Sequence, residues 1–464
     1  MELPNHIIAA VSTAQGVGGI AIIRLSGEGC IELVDKVFVS PADKMLSRQH
    51  ANTVHFGSIV NNGEVIDDVL VTIFKAPHSF TGEDSVEISC HGSTYIQQRI
   101  LQLLLQKGAV LARPGEFTQR AFTNGKMDLS QAESVADLIA SNSASTHRLA
   151  MNQMRGGISN RLLQLRNELL DFTSLIELEL DFSEEDVEFA NRLRLKELAN
   201  DIESHIKKLA ESFNLGNAVK NGIPVAIVGE TNTGKSTLLN CLLHEEKAIV
   251  SDIHGTTRDV IEDTINIQGV LFRLIDTAGI RDTSDEIENI GINLTYKKLE
   301  QASIVLWLVD AVTDNEYILS LSEKILPLVK DKKLILVFNK VDAVSAERKA
   351  IKDSLLKDEV SDRVFISAKY NDGISQLEHK LIEAANIPEI GEQDVIITNL
   401  RHYEALDKAL QAIQRVQEGL DLNISGDFLS QDIRECMHYL GEITGQISTD
   451  EVLGNIFEKF CIGK

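Results

Sequence analysis

The chain has 464 residues, enough for about three domains at roughly 150 residues each, and its 43% hydrophobic content is that of a globular protein. No segment approaches the ~18 continuous apolar residues of a membrane span, and the five scattered cysteines lack any C-x-x-C pair, which argues against a disulfide framework or a structural zinc site. Lys+Arg 45 against Asp+Glu 69 gives a net charge of −24, so nucleic acid would need a local basic patch or a basic partner.

Met1-Glu2-Leu3-Pro4 has no basic start and no long apolar core, so no signal peptide is expected, and the cysteine usage predicts a reducing, cytoplasmic setting. From Ile7 to about Phe122 the pattern is mixed α/β. Gly19–Leu25, Val69–Phe74 and Ser85–Cys90 read as strands, the last with Val86 and Ile88 alternating against Glu87 and Ser89. Tyr95–Leu105 reads as a helix, and Ser26-Gly27, Asn61-Asn62-Gly63 and Arg113-Pro114-Gly115 read as turns. From Ser130 long helices take over, with Leu162, Leu165, Leu169, Phe172 and Ile176 at spacings of three and four. Glu177–Glu188 carries seven acids and no base, the mark of a solvated face or loop.

Pro224–Thr237 then reads P-V-A-I-V-G-E-T-N-T-G-K-S-T. Gly229, Gly234, Lys235 and Ser236 stand at the defining positions of a P-loop, whose backbone N–H groups wrap phosphates ahead of a helix N-terminus. Lys235 would reach the β/γ-phosphates and Ser236 would take Mg²⁺, with Asn232, Thr233 and Thr237 in the same loop. Asp276-Thr277-Ala278-Gly279 follows the apolar run Val270–Ile275, where a carboxylate can hold the Mg²⁺ shell and a glycine N–H can meet a γ-phosphate. Asn339-Lys340-Val341-Asp342 follows Leu334–Phe338. Guanine presents a ring N–H beside an exocyclic amine, a donor pair that Asp342 can accept and that adenine lacks. Ser367-Ala368-Lys369 follows Arg363–Ile366 and can meet the guanine carbonyl. Four motifs in this order, each after its own strand, resemble a Ras-like GTPase and predict guanine over adenine.

Helical stripes return after the motifs: Tyr403, Leu406, Leu410, Ile413 and Leu420, then Leu429, Ile433, Cys436, Leu440 and Ile443. The expected architecture is therefore a multidomain α/β plus all-α chain. A mixed α/β N-terminal domain spans 1–122, and a helical domain is split between 123–220 and 386–464. A Ras-like P-loop GTPase domain with a mostly parallel sheet is inserted at 221–385. The twelve histidines form no H-E-x-x-H cluster, so nucleotide-bound Mg²⁺ is the divalent metal implied.

Beyond the GTPase core, R-L-S-G (Arg24–Gly27), S-F-T-G-E-D (Ser79–Asp84), R-P-G-E-F-T (Arg113–Thr118), G-T-T-R-D (Gly255–Asp259) and the final C-I-G-K (Cys461–Lys464) resemble the MnmE (TrmE) family of tRNA-modifying GTPases from end to end. The resemblance implies a homodimer whose N-terminal domain binds a tetrahydrofolate derivative. It also implies a flavin-containing MnmG-type partner that carries FAD, and GTP-dependent addition of a carboxymethylaminomethyl-type group to C5 of the wobble uridine of tRNA. No membrane partner is expected. Carried over residue by residue, Thr257 joins Ser236 on Mg²⁺. Asn232, Ser251, Ile253 and Thr256 hold K⁺, and the loop Ser251, Asp252, Ile253, His254, Gly255, Thr256 and Thr257 contacts GTP. Thr231 replaces the proline that the family commonly places before Asn232. Ile280 stands where a Ras-type enzyme has glutamine and cannot orient water. Asp285, Glu286 and Glu288 lie just downstream, and the resemblance selects Glu288; Arg281 is a further switch contact. Arg24, Glu87, Lys126 and Lys464 are the implied folate positions. Cys461 is either a thiol nucleophile toward uracil C6 or inert, as a lone terminal cysteine more often is. Two other readings share the nucleotide motifs: a regulatory GTPase of ribosome assembly, and a membrane-associated dynamin-like GTPase with an apolar or basic tip, which the sequence does not display.

Overall fold

The computed structural model describes residues 6–181, 192–244, 263–275, 299–388, 391, 394–447, 450–458, 460 and 462–463. The chain divides into two compact units. Met1–Ala140, Ala150–Ile206 and Glu404–Lys464 make the first, and Ser141–Leu149 with Lys207–Tyr403 the second.

In the first unit β1 (Ile8–Val11), β2 (Ile20–Ser26), β3 (Phe38–Val39), β4 (Thr53–Asn61), β5 (Glu64–Phe74), β6 (Ser85–His91) and β7 (Val110–Leu111) form one sheet in the order β3-β4-β5-β6-β2-β1-β7. Every pairing is antiparallel except β1 with β7. Period-2 alternation buries Val86, Ile88 and Cys90 of β6 while Glu87 stays partly exposed on the opposite face. The buried face meets α1 (Cys30–Asp35) and α2 (Thr94–Gln106), whose Leu33, Val34, Ile100 and Leu104 share a core with Ile23, Leu25, Val71 and Ile73. Asn62 and Gly63 join β4 to β5 with φ of 50° and 87°, the left-handed pair that a two-residue hairpin turn requires.

The rest of this unit is helical: α3 (Glu116–Thr123), α4 (Leu129–Ala140), the end of α5 (Ala144–Met154), α6 (Gly157–Asp181), the first half of α7 (Arg192–Asn221), and, near the C-terminus, the helix Leu400–Asp421 from Glu404 onward, Gly426–Thr444 and Asp450–Phe457. The leucine stripe of α6 is buried from Leu162 to Ile176, and the helix Gly426–Thr444 lies against it with Leu429, Ile433, Cys436, Leu440 and Ile443 buried. Gln417 Nε2 donates to Asn200 Oδ1 at 2.9 Å and to Glu203 Oε2 at 2.8 Å, tying Leu400–Asp421 to α7. The sequence displays no apolar tip, yet Leu422, in the turn after Asp421, and Phe428, in the first turn of the helix Gly426–Thr444, are 73% and 63% exposed. Asp421 and Asp427 flank them with a charge that an anionic membrane repels. No helix among the described residues is long and apolar enough to cross a membrane.

The second unit holds β8 (Ile223–Val228), β9 (Asp263–Ile267), β10 (Val270–Leu274), β11 (Ile304–Asp310), β12 (Lys333–Asn339) and β13 (Asp362–Phe365), in the order β13-β12-β11-β8-β10-β9. All neighbours are parallel except β9 with β10. Both faces are covered. Val225, Leu306 and Val337 pack with Leu238 and Leu242 of α8 (Lys235–His244) and with Leu377 and Leu381 of the helix Ile374–Ala385. On the other side Trp307 and Phe338 pack with Ile318 of the helix Asn315–Ile325. Burial on both faces is why these strands read as unbroken apolar runs and not as alternations.

The second half of α7 and the segment 394–403 run side by side within this unit. Ser212 Oγ accepts the Ile397 N–H at 3.0 Å, and Phe213 stacks on Tyr403 with centroids 4.7 Å apart. A Cβ added to Gly216 would stand 2.0 Å from the Ile397 carbonyl oxygen. Glycine to alanine inside a helix ordinarily gains about 1 kcal/mol. Gly216→Ala should instead lose about 1–3 kcal/mol, because the extra methyl has only backbone to displace. Urea unfolding of the full chain reads the sign, and a more stable variant would contradict this packing.

Candidate nucleotide-binding site

Parallel register brings the carboxyl ends of β8, β11, β12 and β13 to one edge, with Val228 opposite Trp307, Asp310 opposite Asn339 and Phe338 opposite Phe365. Ligands of open α/β sheets bind at this edge. The P-loop leaves β8 at Gly229, where any Cβ would stand 2.3 Å from the Leu308 carbonyl oxygen. Asn232 and Gly234 carry φ of 63° and 97°, and a Cβ on Gly234 would lie 2.3 Å from Asn339 Nδ2. Glycine at 229 and 234 is thus a steric requirement of the loop's neighbours. Lys235 Nζ reaches back across the loop to the carbonyls of Gly229 (2.6 Å) and Glu230 (2.5 Å), and Thr233 Oγ1 donates to the Glu230 carbonyl at 2.9 Å.

Three of the predicted motifs meet here. Asn339, 3% exposed, donates through Nδ2 to the Thr233 carbonyl at 2.8 Å and accepts the Ala368 N–H through Oδ1 at 3.0 Å. Lys340, at φ 63°, donates to the Asn232 carbonyl and to Asp310 Oδ2, both at 2.7 Å. Asp342 accepts the Ser367 hydroxyl through one carboxylate oxygen. Lys369 Nζ lies 5.1 Å from the Tyr370 ring centroid. Ser236 and Thr237 are exposed in the first turn of α8. The Ser236 hydroxyl is therefore accessible where the P-loop would present Mg²⁺. The Asn232 side chain is exposed in the same loop.

Sequence reasoning missed Asp310, the acidic partner of Lys340, whose only signal is its place at the end of an apolar strand. It also missed Tyr317, whose hydroxyl donates to the Glu230 carboxylate in the P-loop; that bond and the Glu230 charge push the phenol above its usual range. Ser251, Asp252, Ile253, His254, Gly255, Thr256, Thr257, Asp276, Thr277, Ala278, Gly279, Glu288, Cys461 and Lys464 lie outside the described residues.

In the first unit the predicted folate positions fall partly together. Arg24 and Glu87 face each other across β2 and β6, and Arg24 Nη2 and Nε donate to Glu87 Oε1 at 2.7 and 3.0 Å. The guanidinium lies 5.7 Å from the Phe80 ring centroid and 5.8 Å from that of Phe117. Lys126 is not in this pair. Its Nζ donates to the Pro77 carbonyl at 3.0 Å, at the base of the loop that carries Phe80. Near the C-terminus, Gly463 (φ 92°) approaches β1 so closely that a Cβ would stand 2.3 Å from the Val11 carbonyl oxygen, and Ser12 Oγ donates to the Gly463 carbonyl at 3.0 Å. Burial pushes the thiols of Cys90 and Cys436 up to about 11 and about 12, which makes them poor nucleophiles.

The motifs S-F-T-G-E-D and R-P-G-E-F-T converge on a buried ion cluster. Arg120 Nη1 donates to both oxygens of Glu83 (3.2 and 3.0 Å), and Nη2 donates to the His6 carbonyl (3.0 Å) and to Glu116 Oε1 (3.2 Å). Ser26 Oγ adds a bond to Glu83 Oε2 at 2.8 Å, and the Arg113 N–H donates to Glu116 Oε2 at 2.9 Å. Burial alone would push the Glu116 carboxyl up, but the Arg113 N–H and the Arg120 guanidinium outweigh it and hold the group below the usual carboxylate range.

A doubly wound sheet with a single antiparallel edge strand, a P-loop after the strand β8 and an N-K-x-D motif bonded to both neighbouring loops define a Ras-like guanine-nucleotide-binding domain, the core of a P-loop GTPase. The family described as GTP-binding protein TrmE N-terminus matches residues 7–126, and the family described as MnmE helical domain matches residues 129–461. The tRNA modification GTPase MnmE of Bacteroides thetaiotaomicron is 60% identical over 461 residues, covering 98% of this chain and 99% of the relative. That of Bacteroides fragilis strain YCH46 is 59% identical over the same shares. The chain belongs to the MnmE family of tRNA modification GTPases. Among solved structures, a variant of Aquifex aeolicus Era bound to GDP and tetrafluoroaluminate is 29% identical, covers 41% of this chain and 66% of its own, and has a TM-score of 0.28. That score is too low to support a fold argument, which rests on the strand order.

A depressed carboxyl stabilises the fold fully above its unfolded value and loses that contribution as pH falls through the folded one. Glu116→Gln should cost about 2–4 kcal/mol at pH 7, because it strips charge from a buried pair. It should also flatten the loss of stability between about pH 5 and pH 3. Urea unfolding at both pH values checks this, and equal acid slopes in variant and parent would contradict it.

Proposed function

We propose that this protein hydrolyses GTP to drive addition of a carboxymethylaminomethyl-type group to C5 of the wobble uridine of tRNA, acting as a homodimer with a flavin-containing MnmG-type partner. The observation that carries the nucleotide part is the Asn339 carboxamide, which bonds the P-loop and the Ser367–Lys369 loop at once. The modification part rests on end-to-end family membership.

In this reading Asp342, oriented by the Ser367 hydroxyl, accepts the ring N–H and exocyclic amine of guanine, and an adenine base leaves that charge unpaired. Lys235 and the P-loop amides bind the β/γ-phosphates. Ser236 and Thr257 would hold Mg²⁺, which offsets phosphate charge when bound. Asn232, with Ser251, Ile253 and Thr256, would hold K⁺, which offsets charge as an arginine finger does elsewhere. Glu288 orients the attacking water, directly or through a second water.

Residues 1–122 serve as the folate-binding and dimerisation domain. Arg24, Glu87, Lys126 and Lys464 receive a tetrahydrofolate derivative as one-carbon source, and the FAD belongs to the partner protein. The Arg24–Glu87 pair beside the exposed Phe80 ring supports that use, since a pterin offers a donor edge to a carboxylate and a flat face to an aromatic ring. The GTPase domain, 221–385, interrupts a helical domain made of 123–220 and 386–464. Cys461 is a candidate nucleophile.

Mass analysis of tRNA nucleosides from cells lacking the protein tests the assignment. The C5-modified wobble uridine should disappear and return with a plasmid copy. Unchanged wobble uridines would defeat the modification role and favour a ribosome-assembly GTPase.

A further inference from the structure

Glu230 is an acid inside a loop that binds phosphate. It directly follows Gly229 and stands five residues before Lys235. Its carbonyl is an internal anchor of the loop, accepting Lys235 Nζ at 2.5 Å and Thr233 Oγ1 at 2.9 Å. Its side chain is exposed and carries the same sign as the phosphates that Lys235 would meet. Left free to swing, that carboxylate repels any phosphate held by the loop.

One hydroxyl takes it up. Tyr317 donates through its phenol to Glu230 Oε1, across 87 residues of sequence. The bond and the Glu230 charge hold the phenol above its usual range, so it stays a donor at neutral pH. Tyr317 is 46% exposed, so dissolved salt reaches the pair and its charge can be read by screening.

Tyr317 stands on a fixed base. It lies in the first turn of the helix Asn315–Ile325, and its neighbour Ile318 is fully buried with Trp307 and Phe338. The loop leading into that helix is tied twice. Asp310 Oδ2 accepts Lys340 Nζ at 2.7 Å, and the buried Lys352 donates through Nζ to the Thr313 carbonyl. Lys340 also donates to the Asn232 carbonyl at 2.7 Å, so the frame that carries Tyr317 is bonded to the P-loop itself. A donor on a packed helix holds its acceptor more precisely than one on a loop.

We infer that Tyr317 is a positioning residue for nucleotide binding: it acts through Glu230, restraining that carboxylate on a fixed donor so that its charge does not oppose the phosphates bound by Lys235 and the P-loop. The inference rests on the nucleotide-binding reading above and adds to it a residue outside all four motifs.

The full-length protein tests this with Tyr317→Phe, which keeps the ring and removes the hydroxyl, and with Tyr317→Phe combined with Glu230→Gln, which also removes the charge. Binding of GDP and of inorganic pyrophosphate is measured by calorimetry, and thermal unfolding is followed for each protein. Tyr317→Phe should weaken both ligands about three- to tenfold, the scale of one lost hydrogen bond. The deficit should shrink toward parity as sodium chloride is raised from about 0.05 M to about 0.5 M. The double variant should bind both ligands as tightly as the parent or more tightly, and the unfolding midpoints should stay within about 2 °C. Parent-like affinity in Tyr317→Phe overturns the inference. So does a deficit that ignores salt and persists in the double variant, which marks a merely structural contact. A parent chain that binds neither ligand overturns the nucleotide reading as well, whereas a binding parent with an indifferent Tyr317→Phe overturns this inference alone.

Discussion

The nucleotide edge of the second unit depends on one carboxamide. Asn339 is held at the end of β12 by parallel pairing on both sides, and its side chain spends its donor on the P-loop and its acceptor on the loop after β13. Inside a protein such a bridge is stronger than in water, and leaving either partner unpaired is costly. The bridge explains why Gly234 tolerates no side chain, since the Asn339 amide occupies the space that a Cβ would take. It also explains how a phosphate-binding loop and a base-reading loop, more than a hundred residues apart in sequence, share one rigid frame. Lys340 repeats the arrangement a residue later, bonding Asn232 of the P-loop and Asp310 of β11.

The first unit has its own centre, the cluster of Arg120 with Glu83 and Glu116. Both Arg120 and Glu116 are almost fully buried, so each needs the other. The cluster joins α3 to the loop before β6, and the same loop places Phe80 over Arg24. An ion cluster that fixes this loop thereby fixes one wall of the surface where Arg24 and Glu87 meet. Two motifs that mark the family in sequence are thus the two halves of a structural clamp beside a candidate ligand site.

Much of this was legible in the amino-acid order because local physics is written locally. Parallel strands covered on both faces leave apolar runs, so the strands before Gly229, Asn339 and Ser367 stand out, and the helix stripe from Leu162 to Ile176 repeats at the helical period. The β6 alternation was visible for the same reason. What was not legible depends on register and on single long-range hydrogen bonds. No spacing announces that Arg24 pairs with Glu87, that Tyr317 reaches Glu230, or that Ser145 holds Gly269. Segment 141–149 shows the limit best. Two side-chain bonds that no periodicity encodes join it to the GTPase sheet: Ser145 Oγ donates to the Gly269 carbonyl and Asn266 Nδ2 to the Asn142 carbonyl. Exposed Leu422 and Phe428 were unforeseen because isolated apolar residues in a turn or at a helix start look like the edge of a buried stripe. Thr257, Asp276 and Glu288 are carried by sequence alone.

The claim that Asn339 couples the two loops is tested most directly by Asn339→Ala, with binding of GDP, ADP and inorganic pyrophosphate measured by calorimetry on the full-length protein. Loss of the bridge should weaken pyrophosphate binding and erase the preference for GDP over ADP together, since both loops lose their common support. Pyrophosphate affinity equal to that of the parent protein, with only the base preference lost, would show that the P-loop stands without Asn339 and would contradict the account.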